Sequence, residues 1–551
     1  MAAQTITGLL GADPALESVV QRIAEARPGA PIAVGGAPEG SWGLLAEHLR
    51  ARLGTSVLVI ASDPQALVDD LLAFEGVQRA LHYPAADVLP MDRTPPADEI
   101  VAARLATQAA LLGDGTAVVA ASPLGLARPA PDPESFAGGL LTVRVGPGAG
   151  LDHLVGWLVE WGYSREPEVE APGQFAVRGG IVDVFPQTDS GPLRIEFFGN
   201  EVESIRGFEV TSQASITKLT EAELLPAREF PHRQAEVESA LERLRSLDFT
   251  DCLPEVAVQW QEHIAHLAEA GYFPGVETLY PYLSERPASL FDYFQAAPLV
   301  LMIEPGRVGA QAERHRLETE ELIASEADHG ELPRGLRSGL IPFRDLEARF
   351  GATIYVDRVA EPGAIDLGWL APASLVGRPE ALGGEVKGAL ADGERLVFTT
   401  RHLDRLASLV DPEGIALTQV EELDVDSTEL PARGAVAVDA SLRTGFRLPA
   451  ANLRLYSDLE LFGLARPERR RRRVAAGQAT DAATAFRLEI QPGQLVVHRD
   501  HGVGRFQGLR SIDDAGAERE YIHLEYRRRR PRLCPGGEHG SHPAVRRRSR
   551  G

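Results

Sequence analysis

The stretch Gly173–Phe208, GQFAVRGGIVDVFPQTDSGPLRIEFFGNEVESIRGF, constrains the fold more than any other part of the chain. Apolar and polar residues alternate in short runs, and Gly179-Gly180 and Gly199-Asn200 stand between runs as two-residue hairpin signals. Such a segment predicts antiparallel β-structure. In Leu193–Phe198 the alternation assigns Leu193, Ile195 and Phe197 to one face and Arg194, Glu196 and Phe198 to the other. An aromatic among charges on an outer face has the composition of a protein-binding hot spot. The alternative is that another part of the chain covers Phe198.

A chain of 551 residues predicts three to five domains. Its net charge of −23 repels nucleic acid as a whole, so any such contact requires a local basic patch. The strong positive runs are Arg469–Arg473, Arg527–Arg530 and Arg546–Arg548, and lysine occurs only at Lys218 and Lys387. Cys252 and Cys534 are the only cysteines, which excludes a disulfide scaffold and a multi-cysteine zinc site and suits a reducing cytoplasm. The first twenty residues lack a basic n-region and a long apolar core, and no apolar run reaches the ~20 residues of a membrane helix. A cytoplasmic protein without membrane contact is expected.

Along residues 15–125 short apolar runs (Ile32–Val34, Ser56–Ile60, Thr116–Ala121) alternate with helical stretches (Trp42–Leu53, Glu99–Leu112), the pattern of a parallel α/β sheet. Residues 130–215 hold the hairpin block, preceded by the helix Leu151–Trp161, and read as a compact α+β insert. Residues 226–375 return to helices (Arg233–Leu247, Glu255–Ala270) with the strand Leu299–Ile303, and are expected to complete the first sheet. A second, smaller α/β pattern with strands Leu396–Thr400 and Ala435–Val438 fills 380–462, and 463–490 reads as a linker plus helix. The strands Leu495–His498, Gly504–Leu509 and Glu520–Tyr526 suit a small β-barrel. The fold class is therefore multidomain α/β and α+β.

Gly35–Trp42, GGAPEGSW, has the place and spacing of a P-loop, G-x-x-x-x-G-K-[ST]. Gly35 and Gly40 are in place, but Ser41 stands where the phosphate-neutralising lysine belongs, and Trp42 where the magnesium-holding hydroxyl belongs. Glu39 adds a negative charge beside the phosphate position. No Gly-Lys pair occurs anywhere, so the loop reads as a degenerate, non-functional turn, with no cofactor and no catalytic residue expected. His498-Arg499-Asp500-His501 lacks a third ligand nearby and reads as a turn, so no metal is expected. The acidic run Glu421–Asp426 reads as a solvated face. The arginines 469–473 suit nucleic acid, a solvated linker or a clamp on an acidic neighbour.

The hairpin block resembles domain 2 of the bacterial transcription–repair coupling factors (the Mfd family), a domain shared in outline with the excision-repair protein UvrB. HYPAADVLPMDRTPPADEIVAARL (His82–Leu105), LYSDLELFGLARPERRRRR (Leu455–Arg473) and PGQLVVHRDHGVGRFQGL (Pro492–Leu509) are similar to further blocks of that family, in its order. The resemblance implies a UvrB-like domain 1a with degenerate P-loop at 1–130 and a UvrA-binding α+β insert at 131–225. Domain 1b follows at 226–375, a small α/β domain 3 at 376–462 and a linker helix at 463–490. From 491 to 551 it implies a CarD/Tudor-like β-barrel that docks on RNA polymerase. Matching motif to motif, the UvrA contacts fall on Arg178, Arg194 and Phe198, and the hydrophobic contact for the polymerase β subunit falls on Ile512.

UvrB inserts an aromatic-rich hairpin into DNA, whereas His82–Glu99 here has Tyr83 as its only aromatic, which favours the coupling factor. The family's ATP-driven motor, its route to DNA, lies beyond the barrel. The expected role is therefore the adaptor half of transcription-coupled nucleotide excision repair. The alternatives are a UvrB-like ATPase and a stand-alone CarD-like regulator. After Tyr526 the chain resembles no strand of the family. Encoded with GC-rich codons and read one base later, the tail resembles the family's continuation, so a frameshift from residue 527 is expected. It would leave a sheet edge unpaired and weaken polymerase binding.

Overall fold

The computed structural model describes residues 4–465, apart from the short segments 27–28, 75–76, 78, 92–94, 149, 188–190, 230–233, 269–275, 284–287 and 432–433. Beyond these it describes the backbone of 495–498, 502–514, 517–526, 529–535 and 546–547. Two units, Met1–Arg469 and Arg470–Gly551, are each taken by themselves.

The first unit is organised by a seven-stranded, all-parallel sheet. Its spatial order is Ile365–Asp366, Ile32–Gly35, Thr353–Val356, Leu299–Ile303, Val57–Ile60, Val118–Ala121, Ala80–Tyr83. Parallel strands are covered on both faces, so runs such as Val57–Ile60 (VLVI) and Leu299–Ile303 (LVLMI) are apolar throughout and buried at every position. The strands at 299–356 do not extend an edge. They stand between Ile32–Gly35 and Val57–Ile60, at the centre of the sheet.

One face of this sheet is covered by the helices Ile6–Gly11, Pro14–Ala24, Trp42–Leu53 and Pro64–Leu71. The far side of that helical layer meets a second sheet. Its order is Leu417–Val420, Gly434–Val438, Arg395–Thr399, Leu453–Ser457, Phe446–Leu448, with the last strand antiparallel. Leu45 and Leu49 belong to the same buried cluster as Val397, Val436, Phe446 and Leu455. The two α/β patterns therefore share one hydrophobic core. Backbone bridges Gln4↔Leu430 and Leu370↔Arg447 add to the join.

The other face of the first sheet packs Tyr83, Leu105, Val119, Phe136, Tyr293 and Met302. Tyr83 is fully buried, with the Arg104 guanidinium 4.1 Å from its ring centre. Arg104, from the helix Asp98–Leu112, is itself 1% exposed. Its Nε donates to Glu229 Oε1 at 2.6 Å, and its terminal nitrogens donate to the carbonyls of Pro84, Gly125 and Pro129 at 3.1–3.2 Å. Glu229 lies where the chain returns from the insert, so this pair ties the insert's exit to its host. Helices Gln234–Leu244 and Pro254–Ala268 gather a further cluster around Trp260, Leu244 and Leu279.

The insert is an antiparallel sheet in the order Ser215–Leu219, Glu201–Phe208, Leu193–Phe198, Ile181–Val184, Gln174–Arg178, ending on the short parallel strand Ser164–Arg165. The helix Leu151–Glu160 packs Leu154, Trp157 and Leu158 onto Phe175, Val182 and Ile195.

In the second unit the strands run in the order Arg529–Pro535, Ala517–Tyr526, Gly502–Asp514, Leu495–His498, Arg546–Arg547, all antiparallel. The edge expected to stand open after Tyr526 is paired: Tyr521 faces Pro535 and Ile522 faces Cys534. Pairing runs through backbone amides, and Pro531 and Pro535 are tolerated because an edge strand needs only half of its donors. Among the described residues the two end strands are not paired with each other. The His498–His501 cluster and the arginines 469–473 lie outside the described side chains. Among the described residues no cluster of His, Cys, Asp or Glu suits a metal, and no helix is long and apolar enough to cross a membrane.

Candidate protein-docking site

The tight turns that shape the insert need glycine. Gly179 and Gly199 have φ of +60° and +61°, which L-residues with a Cβ disfavour. The resulting register lines up Ala176, Asp183, Arg194, Arg206 and Lys218 in one row across five strands. The neighbouring row is Arg178, Ile181, Glu196 and Ser204. A bulge at Glu196/Phe197 follows, and Phe198 pairs with Glu201 at the strand's end.

Phe198 is 80% exposed, more than any other large hydrophobic among the described residues. No described segment of its own unit covers it. Arg178 is half exposed, donating to Pro167 O at 3.1 Å with Glu168 3.6 Å away. Arg194 differs from the freely projecting residue that alternation predicts. Its side chain is only 18% exposed and grips Asp183 with two bonds, Nε to Oδ1 at 2.7 Å and Nη2 to Oδ2 at 2.9 Å. It also donates to the carbonyl and side-chain oxygens of Gln213 at 3.3 and 3.2 Å. Gln213 holds φ at +56°, an uncommon conformation for a residue with a Cβ. The guanidinium lies 4.8 Å from the ring centre of Phe208, which is buried with Val169, Ala176 and Phe185. Hydrogen bonding to the Asp183 carboxylate raises the Arg194 pKa above its ordinary value.

Asp183, Gln213 and Phe208 thus form a seat that alternation alone does not reveal. One signal for it exists in the sequence: Asp183 sits between Val182 and Val184, and a charge inside an apolar run requires a partner. Beside the seat, Glu196 accepts from Ser204 at 2.6 Å and Arg206 at 3.2 Å.

The P-loop-like segment is hydrogen-bonded within itself. Ser41 is buried and its hydroxyl donates to Pro38 O at 2.7 Å. Trp42 is also buried, its Nε1 donating to Ala37 O at 2.9 Å. Glycine is required because other backbone approaches closely. A Cβ at Gly35 would lie 2.2 Å from Ala360 Cα, and one at Gly40 would lie 2.1 Å from Thr444 O. Ile512 lies on the strand Gly502–Asp514, in register with Arg519 across the hairpin.

Comparison with known proteins gives these sites a context. Residues 141–230 match the UvrB interaction domain family, and residues 490–533 match the CarD-like/TRCF RID domain family. The chain is 26% identical over 481 residues to the transcription-repair-coupling factor of Bacillus subtilis (strain 168), covering 84% of this chain and 40% of that protein. It is 26% identical over 478 residues to the transcription-repair-coupling factor of Staphylococcus aureus (strain MRSA252), with the same coverage. The chain therefore spans about two fifths of the length of the curated relatives it matches. Two family domains, with similarity running through most of the residues around them, make this chain a relative of the transcription-repair coupling factors.

Proposed function

We propose that these residues act as a protein adaptor in transcription-coupled nucleotide excision repair, recruiting UvrA to stalled RNA polymerase. The observation that carries this reading is Phe198. It is an 80%-exposed aromatic at a hairpin end of the sheet that also carries half-exposed Arg178, within the stretch that matches the UvrB interaction domain. Arg178, Arg194 and Phe198 form the UvrA-docking face, in an insert carried by a UvrB-like α/β domain. Calorimetric titration of the chain with UvrA tests it, and absence of binding at micromolar concentrations would refute it.

The second contact is with the RNA polymerase β subunit, through the sheet at 495–535 and Ile512. Strand addition at a sheet edge supplies a physical mode for it. Deleting 490–551 is expected to abolish polymerase pull-down while leaving UvrA binding intact. Retained pull-down would remove this sheet from the interface. The same deletion separates the adaptor from a stand-alone CarD-like regulator, since a regulator has no need of the insert. The frameshift from residue 527 stands as a proposal for the genomic DNA to decide.

The P-loop-like segment does not serve as a nucleotide site. It lacks the lysine, adds Glu39, and has Ala360 and Thr444 against its two glycines. No ATP binding is expected by calorimetry. A micromolar dissociation constant would overturn this.

A further inference from the structure

The charge at the P-loop-like segment is reversed, and the structure shows what the reversed charge holds. Glu39, in the loop's short 3-10 turn, accepts from Arg443 Nη1 at 2.5 Å and lies 3.1 Å from Arg358 Nη2. Arg443 comes from the loop at 439–445, between two strands of the second sheet. Its other terminal nitrogen donates to Asp63 Oδ2 at 2.7 Å, and its backbone N–H donates to Asp70 Oδ1 at 2.9 Å. The next residue, Thr444, sets its carbonyl against Gly40, and Gly445 N–H is fixed by Glu460 at 2.9 Å. Arg358 bridges from Glu39 to Glu304 at 3.1 Å, its guanidinium 5.4 Å from the ring centre of Trp42. Three carboxylates from the first domain thus converge on one residue of the other. Burial works against the Arg443 charge, but Asp63, Glu39 and Asp70 outweigh it, and its pKa is raised.

From this geometry we infer that Glu39 of the segment 35–42, together with Asp63, forms a guanidinium-binding socket whose resident ligand is Arg443. It is an intramolecular docking site for the second α/β domain, occupying the place where a P-loop takes phosphate. A P-loop gathers donors and a lysine around an anion. Here Glu39 and Asp63 each take one terminal nitrogen of a planar cation, which matches the forked geometry of arginine better than a point charge, and Asp70 holds the backbone N–H of the same residue. The shared apolar core holds the two domains together. The socket's work is to fix the loop at 439–445 over the glycines.

The test uses the full chain and hydrogen exchange of the amides at 439–446 and 36–42. Arg443→Ala is expected to speed exchange in both segments roughly tenfold, as the loss of charged hydrogen bonds at a partly exposed site implies. Adding millimolar ethylguanidinium, which fits the vacated cradle, should restore protection, whereas ethylammonium should not. In a cycle of Arg443→Gln, Glu39→Gln and the double variant, the exchange effects should be non-additive. Unchanged exchange in Arg443→Ala, equal rescue by both cations, rescue by neither, or additive effects would each overturn the socket. If Arg443→Ala does not fold, Arg443→Lys decides: intermediate protection in both segments supports the socket, and parental protection refutes it.

Discussion

Replacing Phe198 with alanine is expected to weaken UvrA binding at least tenfold while leaving the chain's own stability almost unchanged. The side chain is 80% exposed and contributes little to the core, so its removal should shift stability by no more than about 0.5 kcal/mol. A central aromatic anchor typically contributes about 2 kcal/mol or more to an interface. Arg194→Ala should weaken binding as much, but through two routes. It removes a docking group, and it leaves Asp183, 3% exposed, without its two-bond partner. Breaking such a pair costs several kcal/mol when both partners are buried; at 18% exposure for Arg194 about 1–3 kcal/mol is the appropriate range. Calorimetry combined with thermal unfolding separates the two variants. If Phe198→Ala binds UvrA within twofold of the parent, the docking face lies elsewhere.

Arg104→Ala is expected to destabilise the chain by about 3–5 kcal/mol, more than either substitution on the docking face. The side chain is 1% exposed and Glu229 is 6% exposed at 2.6 Å, so removal takes the main partner from an interior carboxylate and leaves it the weaker 3.4 Å bond from Gln108 Nε2. Three carbonyls, of Pro84, Gly125 and Pro129, lose a donor in the same step, and the ring of Tyr83 loses its cationic cover. Denaturant unfolding measures the loss. Arg104→Ala together with Glu229→Ala should recover part of it, because the carboxylate that lost its main partner is gone as well. A loss below about 1 kcal/mol would mean that water reaches Glu229 in the variant and that the site is less enclosed than the geometry implies.

Local patterns in the sequence carried the strands. LVLMI at 299–303 and VLVI at 57–60 leave no polar face, and only a two-sided parallel sheet accommodates that. Gly179-Gly180 and Gly199-Asn200 mark the turns of the insert because only glycine supplies their backbone angles cheaply. Alternation also separated Phe198 from the core-facing Ile195. Long-range relations were not legible. Nothing in the spacing of Leu45 or Phe446 says that they share a core, since periodicity identifies an apolar face but not its partner. The inward seat of Arg194 depends on Asp183 and Gln213, which register and loop geometry bring together. The pairing of Arg529–Pro535 with the neighbouring strand was hidden because backbone amides carry it, while its side chains read as a polar, proline-containing segment. Gly35 and Gly40 looked like remnants of a lost site; their retention follows from Ala360 and Thr444, both far away in sequence.

The order of strands in the first sheet sets a timetable for synthesis. Ile32–Gly35 emerges early, yet both of its neighbours, Thr353–Val356 and Ile365–Asp366, are made after the entire insert. Val57–Ile60 has one neighbour available early, at Val118–Ala121, and waits for the other, at Leu299–Ile303. The insert's hairpins pair residues close in sequence and close quickly, whereas the host's central pairings span most of the unit and are slow. On the ribosome the guest is therefore finished before its host. For that interval the apolar runs at 32–35 and 57–60 lack their final cover, which makes the nascent first domain the point at which this chain most depends on chaperones.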